Sequence, residues 1–153
     1  MRRKSPVPLL IGAVAAILIV VALFMFIGKS RESHTPEEVI AAFYQYEQTG
    51  DFGNAWELFH PEMQTKFPKS TYIQTKNHVF MGHMGVDEFK VKVGKVEKVD
   101  TFTFNQEGLT FKKVRKADVD LFFDSQFGKL TIRQTCYVAL EEDEWKVLWD
   151  YHF

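Results

Sequence analysis

The stretch VDLFFDSQFGKLTIRQTCYVAL, Val119 to Leu140, reads as two alternating runs on either side of a turn at Gln126-Phe127-Gly128-Lys129. Val119, Leu121 and Phe123 fall on one face of the first run, and Ile132, Gln134, Cys136 and Val138 on one face of the second. A period of two is the mark of a half-buried strand, and two such runs joined by a short Gly-containing turn make an antiparallel hairpin.

The pattern extends in both directions. Downstream, Glu141-Glu142-Asp143-Glu144 forms a charged tip, after which Trp145, Val147, Trp149 and Tyr151 share a face of a last strand. Upstream, Phe89, Val91 and Val93 alternate with lysines, and Val96 and Val99 continue that strand past a bulge or bend at Gly94. Residues Thr101 to Lys113 read as strand ends around a turn at Asn105 to Gly108.

Before Asp87 the period is helical. Thr35-Pro36-Glu37-Glu38 combines a capping hydroxyl, a proline at the first helical position and a glutamate placed to reach back to the cap. Val39, Ile40, Phe43 and Tyr46 follow at helical spacing, and Gly50 closes the segment. Phe52, Ala55, Trp56 and Phe59 give a second helix stopping at His60-Pro61. Ser70 would cap a third, with Tyr72, Ile73, Val79 and Phe80 on its apolar side and Gly82 and Gly85 at its end. Helices followed by a meander predict an α+β fold: about three helices packed on a curved antiparallel sheet, a cone that can enclose a pocket.

Ahead of this domain, Leu9 to Ile27 is an unbroken apolar run behind Arg2, Arg3 and Lys4. As a helix it would be roughly 28 Å long, close to the ~30 Å hydrocarbon core of a bilayer. The rival reading, a cleaved secretory signal, has a shorter apolar stretch of about 7–15 residues and a small-x-small cleavage site; Phe24-Met25-Phe26-Ile27-Gly28-Lys29 offers none. A transmembrane signal anchor is therefore expected over 9–28, a cytoplasmic N-terminus over 1–8, a short linker over 29–34 and the folded domain over 35–153. The basic cluster before the span places that domain outside the cytoplasm, at the cell membrane and close to its surface; Lys29 and Arg31 on the other side narrow the margin.

The chain carries 19 basic and 20 acidic side chains, and without Arg2, Arg3 and Lys4 the count becomes 16 against 20. A mildly acidic domain argues against nucleic acid as a partner. The single cysteine, Cys136, excludes an internal disulfide, so the domain relies on its core, for which 15 Phe, 3 Trp and 5 Tyr supply material.

Several local motifs, in order, resemble the nuclear-transport-factor-two-like (cystatin-like cone) superfamily. More narrowly, they resemble the non-catalytic N-terminal domain of methicillin-resistance-type class B penicillin-binding proteins. The residues that carry the likeness are Pro36-Glu37-Glu38-Val39, Trp56-Glu57-Leu58, Gly85-Val86 leading into Phe89-Lys90-Val91, Phe127-Gly128-Lys129-Leu130 and Trp145-Lys146-Val147-Leu148-Trp149-Asp150. In those proteins a transpeptidase follows, whereas here neither Ser-x-x-Lys nor Lys-Thr-Gly occurs. The resemblance implies an envelope module without cell-wall chemistry of its own.

Candidate sites are few. Asp150 and His152 alternate on one strand face, where a carboxylate could orient an imidazole as a general base; the aromatic face opposite makes solvent the competing destination for this pair. Phe43, Trp56, Phe59, Tyr72, Gln134, Trp145 and Trp149 are candidate lining for a cavity, or simply core. Gln134 on the concave face would need a polar partner, from the protein or from a ligand. His78 and His83 are five apart, a spacing that on an α-helix sends them to different faces, so no metal and no cofactor is expected. These observations predict an anchored, non-catalytic binding or scaffolding module for another envelope protein. A small-molecule binder or an acid–base enzyme of isomerase or dehydratase type is the alternative, and a homodimer through the sheet face is a third reading.

Overall fold

A computed structural model describes residues 34–104 and 108–149. The anchor at 9–28, nearly all of the linker, the tip of the turn at Asn105 and the C-terminal Asp150 to Phe153 lie outside the described residues. Among those described, no helix is long and apolar enough to cross a membrane.

Helix α1, Pro36–Gln48, starts as the sequence predicts: Thr35 Oγ1 accepts from the Glu38 N–H at 3.2 Å while Glu38 Oε2 accepts from the Thr35 N–H at 2.8 Å. Gly50, at φ +74°, turns the chain out of it. Its buried face is wider than the spacing suggested and is centred differently. Ile40, Phe43, Tyr44 and Glu47 are buried, whereas Tyr46 packs only at the margin.

The helical half holds more pieces than the three expected. Helix α2 runs Phe52–Glu57, α3 Pro61–Lys66 and α4 Lys69–Asn77, continuing into a π-helix over His78–His83. The second helix does stop before Pro61, but that proline opens α3, with His60 as its N-cap. Ser70 caps nothing and sits in the first turn of α4, whose N-cap position is Pro68.

The sheet has five antiparallel strands: β1 Lys90–Val93, β2 Glu97–Phe104, β3 Leu109–Ser125, β4 Gly128–Glu141 and β5 Glu144–Trp149. The order is β1-β3-β4-β5, and β2 shares with β1 the same long partner, β3. Gly94 makes that sharing possible. Its N–H donates to Asp118 O at 2.8 Å, and a Cβ there would stand 2.9 Å from the same oxygen, so a bend this close to β3 accepts no side chain. Val96 lies in the bend, not in the strand. The opening hairpin of the sequence reading, β3–β4, keeps its register from Ser125↔Gly128 through Arg115↔Val138.

The sheet curls around the helices. At one edge, the segment between α2 and α3 lies along β5: Val147 N–H donates to Leu58 O at 2.8 Å and His60 N–H to Val147 O at 2.9 Å. These bonds occupy backbone groups that an edge strand would otherwise leave open to pairing with other chains.

Candidate functional site

The interior of the cone is built on one helix face. Along α1, Ile40, Phe43, Tyr44 and Glu47 stand at i, i+3, i+4 and i+7, so a carboxylate takes a place where an apolar side chain would be usual. Glu47 is almost completely buried. It is not unpaired: Tyr72 Oη donates a hydrogen bond to Glu47 Oε1, and Lys76 Nζ reaches Oε2 at 2.7 Å. Tyr72 and Lys76 are one turn apart on α4, which is why a single helix supplies both.

Around the Lys76 ammonium stand three aromatic faces, with the Trp149 centroid at 4.7 Å, Phe80 at 5.1 Å and Tyr72 at 5.5 Å. Such faces present negative potential to a cation and are most effective where water is excluded. Burial, reinforced by the neighbouring Glu47 charge, pushes the Tyr72 hydroxyl far above its ordinary range, so it acts as a hydrogen-bond donor and not as a base.

A second polar group sits beside the first. Gln134 Nε2 donates to Tyr44 Oη at 2.7 Å, which gives Gln134 its partner from within the protein. Burial raises Tyr44, and burial pushes the Cys136 thiol up to about 12 against that hydroxyl. An inert buried thiol results. Trp149 Nε1 is different: it is buried and has no hydrogen-bond partner among the described residues.

The residues expected to line a cavity therefore divide. Phe43, Phe59, Tyr72 and Trp149 come together, with ring centroids 5.0–6.0 Å apart (Phe59–Trp149 5.0 Å, Tyr72–Trp149 6.0 Å), and they fill the interior. Trp56 and Trp145 do not join them. Trp56 donates its indole N–H to Phe67 O at 2.6 Å and is covered by Lys69, and Trp145 lies under Arg115. Asp150 and His152 lie outside the described residues.

His60 and the two helical histidines have roles that the sequence reading missed or misplaced. His60 Nδ1 accepts from the Glu62 N–H at 3.2 Å, which puts the ring proton on Nε2, 3.2 Å from Glu141 Oε2. Burial lowers its pKa despite the nearby Glu141. His78 and His83 were expected on different faces, but the chain there is a π-helix with i→i+5 bonding, and their Nε2 atoms lie 2.9 Å apart. No group of three or more His, Cys, Asp or Glu able to hold a metal occurs among the described residues.

The opposite end of the sheet is open. A cleft of about 610 Å³ there is lined by Phe89, Phe122, Phe123 and Leu130, with Glu88 and Lys129 among its charged groups. Around it Phe127 is 73% exposed, Ile132 43%, Leu130 40% and Phe122 39%. Ile132 belongs to the predicted inner face of β4, but the helices cover that face only further along, from Gln134 onward.

No protein-family model matches the chain, and no curated protein matches it. Solved structures do. The solution structure of RPA3114, a SEC-C motif containing protein from Rhodopseudomonas palustris, superposes with a TM-score of 0.51 at 13% identity, covering 79% of this chain and 80% of that one. At that identity the likeness concerns fold alone. What the two share is the arrangement seen here, helices packed on a curved antiparallel half-barrel sheet.

Proposed function

We propose that this chain is a membrane-anchored, non-catalytic module that presents a cone-shaped domain outside the cytoplasm and binds another protein of the cell envelope through the open end of its sheet. The observation that carries this reading is the contrast in how polar and apolar groups are used. Inside the cone, Glu47, Tyr72, Lys76, Tyr44 and Gln134 bond to one another; at the open end, large apolar side chains border a cleft. Exposed apolar clusters rimmed by charge are characteristic of protein-binding surfaces. The apolar run at 9–27 and the basic residues ahead of it support the anchor and its direction. Kinship with the N-terminal domain of penicillin-binding proteins rests on the sequence motifs and adds the expectation of an envelope setting.

The test is in-cell photo-cross-linking from position 127 or 130 of the full chain, followed by identification of the adducts. A distinct envelope protein, captured from these positions and not from exposed Lys98 on β2, is the expected result. Self-adducts alone would replace the module with a homodimer. Protease added to intact cells should degrade the domain, and protection would reverse the orientation.

The second reading, a small-molecule binder or an acid–base enzyme using the interior, is favoured by one atom: Trp149 Nε1, buried beside the Lys76 ammonium without a partner among the described residues. A bound acceptor would satisfy it. Co-purification of a small molecule that Trp149→Phe abolishes would promote this reading over the first.

A further inference from the structure

We infer that His78 and His83 form a two-imidazole chelate for a divalent transition ion of the copper(II) or nickel(II) class. In an α-helix, five residues advance the chain by about 500°, leaving the two side chains some 140° apart. The π-helix over His78–His83 cuts most of that offset, since its hydrogen bonds join residues five apart and so bring residue i+5 back toward the face of residue i. The outcome is a pair of exposed rings whose centroids are 4.3 Å apart and whose Nε2 atoms are 2.9 Å apart.

The separation is also compatible with cis coordination of one ion. Two metal–nitrogen bonds of about 2.0–2.1 Å hold their nitrogens roughly 2.9 Å apart at a cis angle of 90°, but about 3.3–3.4 Å apart at a tetrahedral angle. The observed 2.9 Å fits neighbouring corners of a square-planar or octahedral ion. Without an ion, the same geometry is a shared N–H···N hydrogen bond. When the ion binds, the donor ring moves its proton from Nε2 to Nδ1, both Nε2 lone pairs turn to the metal, and two metal-bound waters leave. No net proton is released.

The pair is held in place from outside the helix. Gln126, in the β3–β4 turn, donates from Nε2 to His83 O at 2.6 Å and from its backbone N–H to Met84 O at 3.1 Å. Phe80, between the histidines, is buried against Phe89 and Phe123. A ligand pair on a segment fixed at both the backbone and the core loses little freedom on binding. Since no third His, Cys, Asp or Glu completes the set among the described residues, water fills the remaining positions, and the ion stays exchangeable.

The experiment titrates the purified full chain, in mild detergent, with Cu²⁺ and separately with Ni²⁺, by calorimetry, using glycine as competitor for Cu²⁺. Electron paramagnetic resonance of the Cu²⁺ form accompanies it. One ion should bind, with two equatorial imidazole nitrogens in the spectrum. His78→Ala and His83→Ala should each weaken that site at least tenfold, the double variant no further than either single one, and His34→Ala less than twofold. Single variants binding as tightly as the unaltered chain, or a loss in His34→Ala matching theirs, would overturn the chelate.

Discussion

The two ends of the cone treat the same kinds of residue in opposite ways. At the helical end, Phe43, Phe59, Tyr72 and Trp149 interlock, and even the charged Glu47 and Lys76 are enclosed among rings. At the far end Leu130 and Ile132 on the inner face of β4, Phe127 in the turn and Phe122 on the outer face of β3 remain open to solvent. What separates the ends is cover: α1 and α4 lie over one part of the sheet, whereas over the other the π-helix reaches only as far as Phe80 stacked on Phe123, and the side chains beyond it stay exposed. The closed end is where a perturbation should unfold the domain, and the open end is where it should affect binding alone.

The strongest way to break that contrast is to unpair the enclosed charges. Lys76→Met should cost about 3–5 kcal/mol, because it strands Glu47 without its cation in a water-poor interior. Replacing both, Glu47→Leu with Lys76→Met, should recover most of that loss. Urea unfolding midpoints of the single and double variants measure both effects. A single-variant cost below about 1 kcal/mol would mean that water reaches Glu47 and that the interior is open.

Much of the fold is legible in the sequence, though not the contrast between its ends, and the reasons can be assigned residue by residue. The capping box at Thr35, the bend at Gly94 and the β3–β4 turn follow from backbone chemistry that few other residues perform. Gln134 could be marked as needing a partner from alternation alone. Glu47 stands at i+7 from Ile40 in an apolar stripe, but the same spacing counted from Val39 leads to the apolar Tyr46 instead. The histidine pair was not readable. A five-residue spacing is meaningful only in a π-helix, and nothing local in His78-Val79-Phe80-Met81-Gly82-His83 distinguishes that from an α-helix. The role of His60 was hidden for a related reason: a helix end before proline and the cap of a new helix look alike until the next helix is seen.

His60 lies on the seam where the helical layer meets the β5 edge, and it sharpens the comparison at intermediate cost. His60→Ala removes the cap of α3 and the bond to Glu141, with an expected loss of roughly 1–2 kcal/mol. The pH dependence has a defined sign. Burial lowers the folded-state pKa below the ordinary 6.5, so the unfolded chain binds the proton more readily. The stabilisation is full above about pH 6.5 and declines as pH falls below it toward the folded-state value. Urea midpoints at pH 7 and pH 5 should diverge more for the unaltered chain than for His60→Asn, which keeps a capping side chain without a titrating ring. Equal divergence would show that His60 is not shielded by the seam.

The β4–β5 turn gives a smaller effect of opposite sign. Glu142 and Asp143 sit at φ +48° and +65°, both in the left-handed region that a two-residue turn with this register demands. Side chains other than Asn, Asp and Gly are strained there, which singles out Glu142, and Gly is the best residue for the second position. Glu142→Asn with Asp143→Gly should therefore stabilise the domain by about 1 kcal/mol, read as a rise in thermal midpoint, without touching either end of the cone. A fall instead would mean that the charges of this tip contribute more than its backbone costs.

The smallest expected change in stability carries the most weight for function. Phe127→Ser alters a side chain that is 73% exposed and should leave stability within about 0.5 kcal/mol of the unaltered chain, and Leu130→Ser, at a residue 40% exposed, should cost no more than about 1 kcal/mol. Residues kept apolar at such positions gain nothing for the fold; what remains for them to stabilise is a complex. Phe127→Ser should thus abolish the cross-link formed from position 130, and Leu130→Ser the one formed from position 127, while the domain stays folded. If the cross-link survives, the cleft is not the binding surface. If instead the domain loses several kcal/mol, these side chains belong to the core, and the open end is covered by chain that joins the fold.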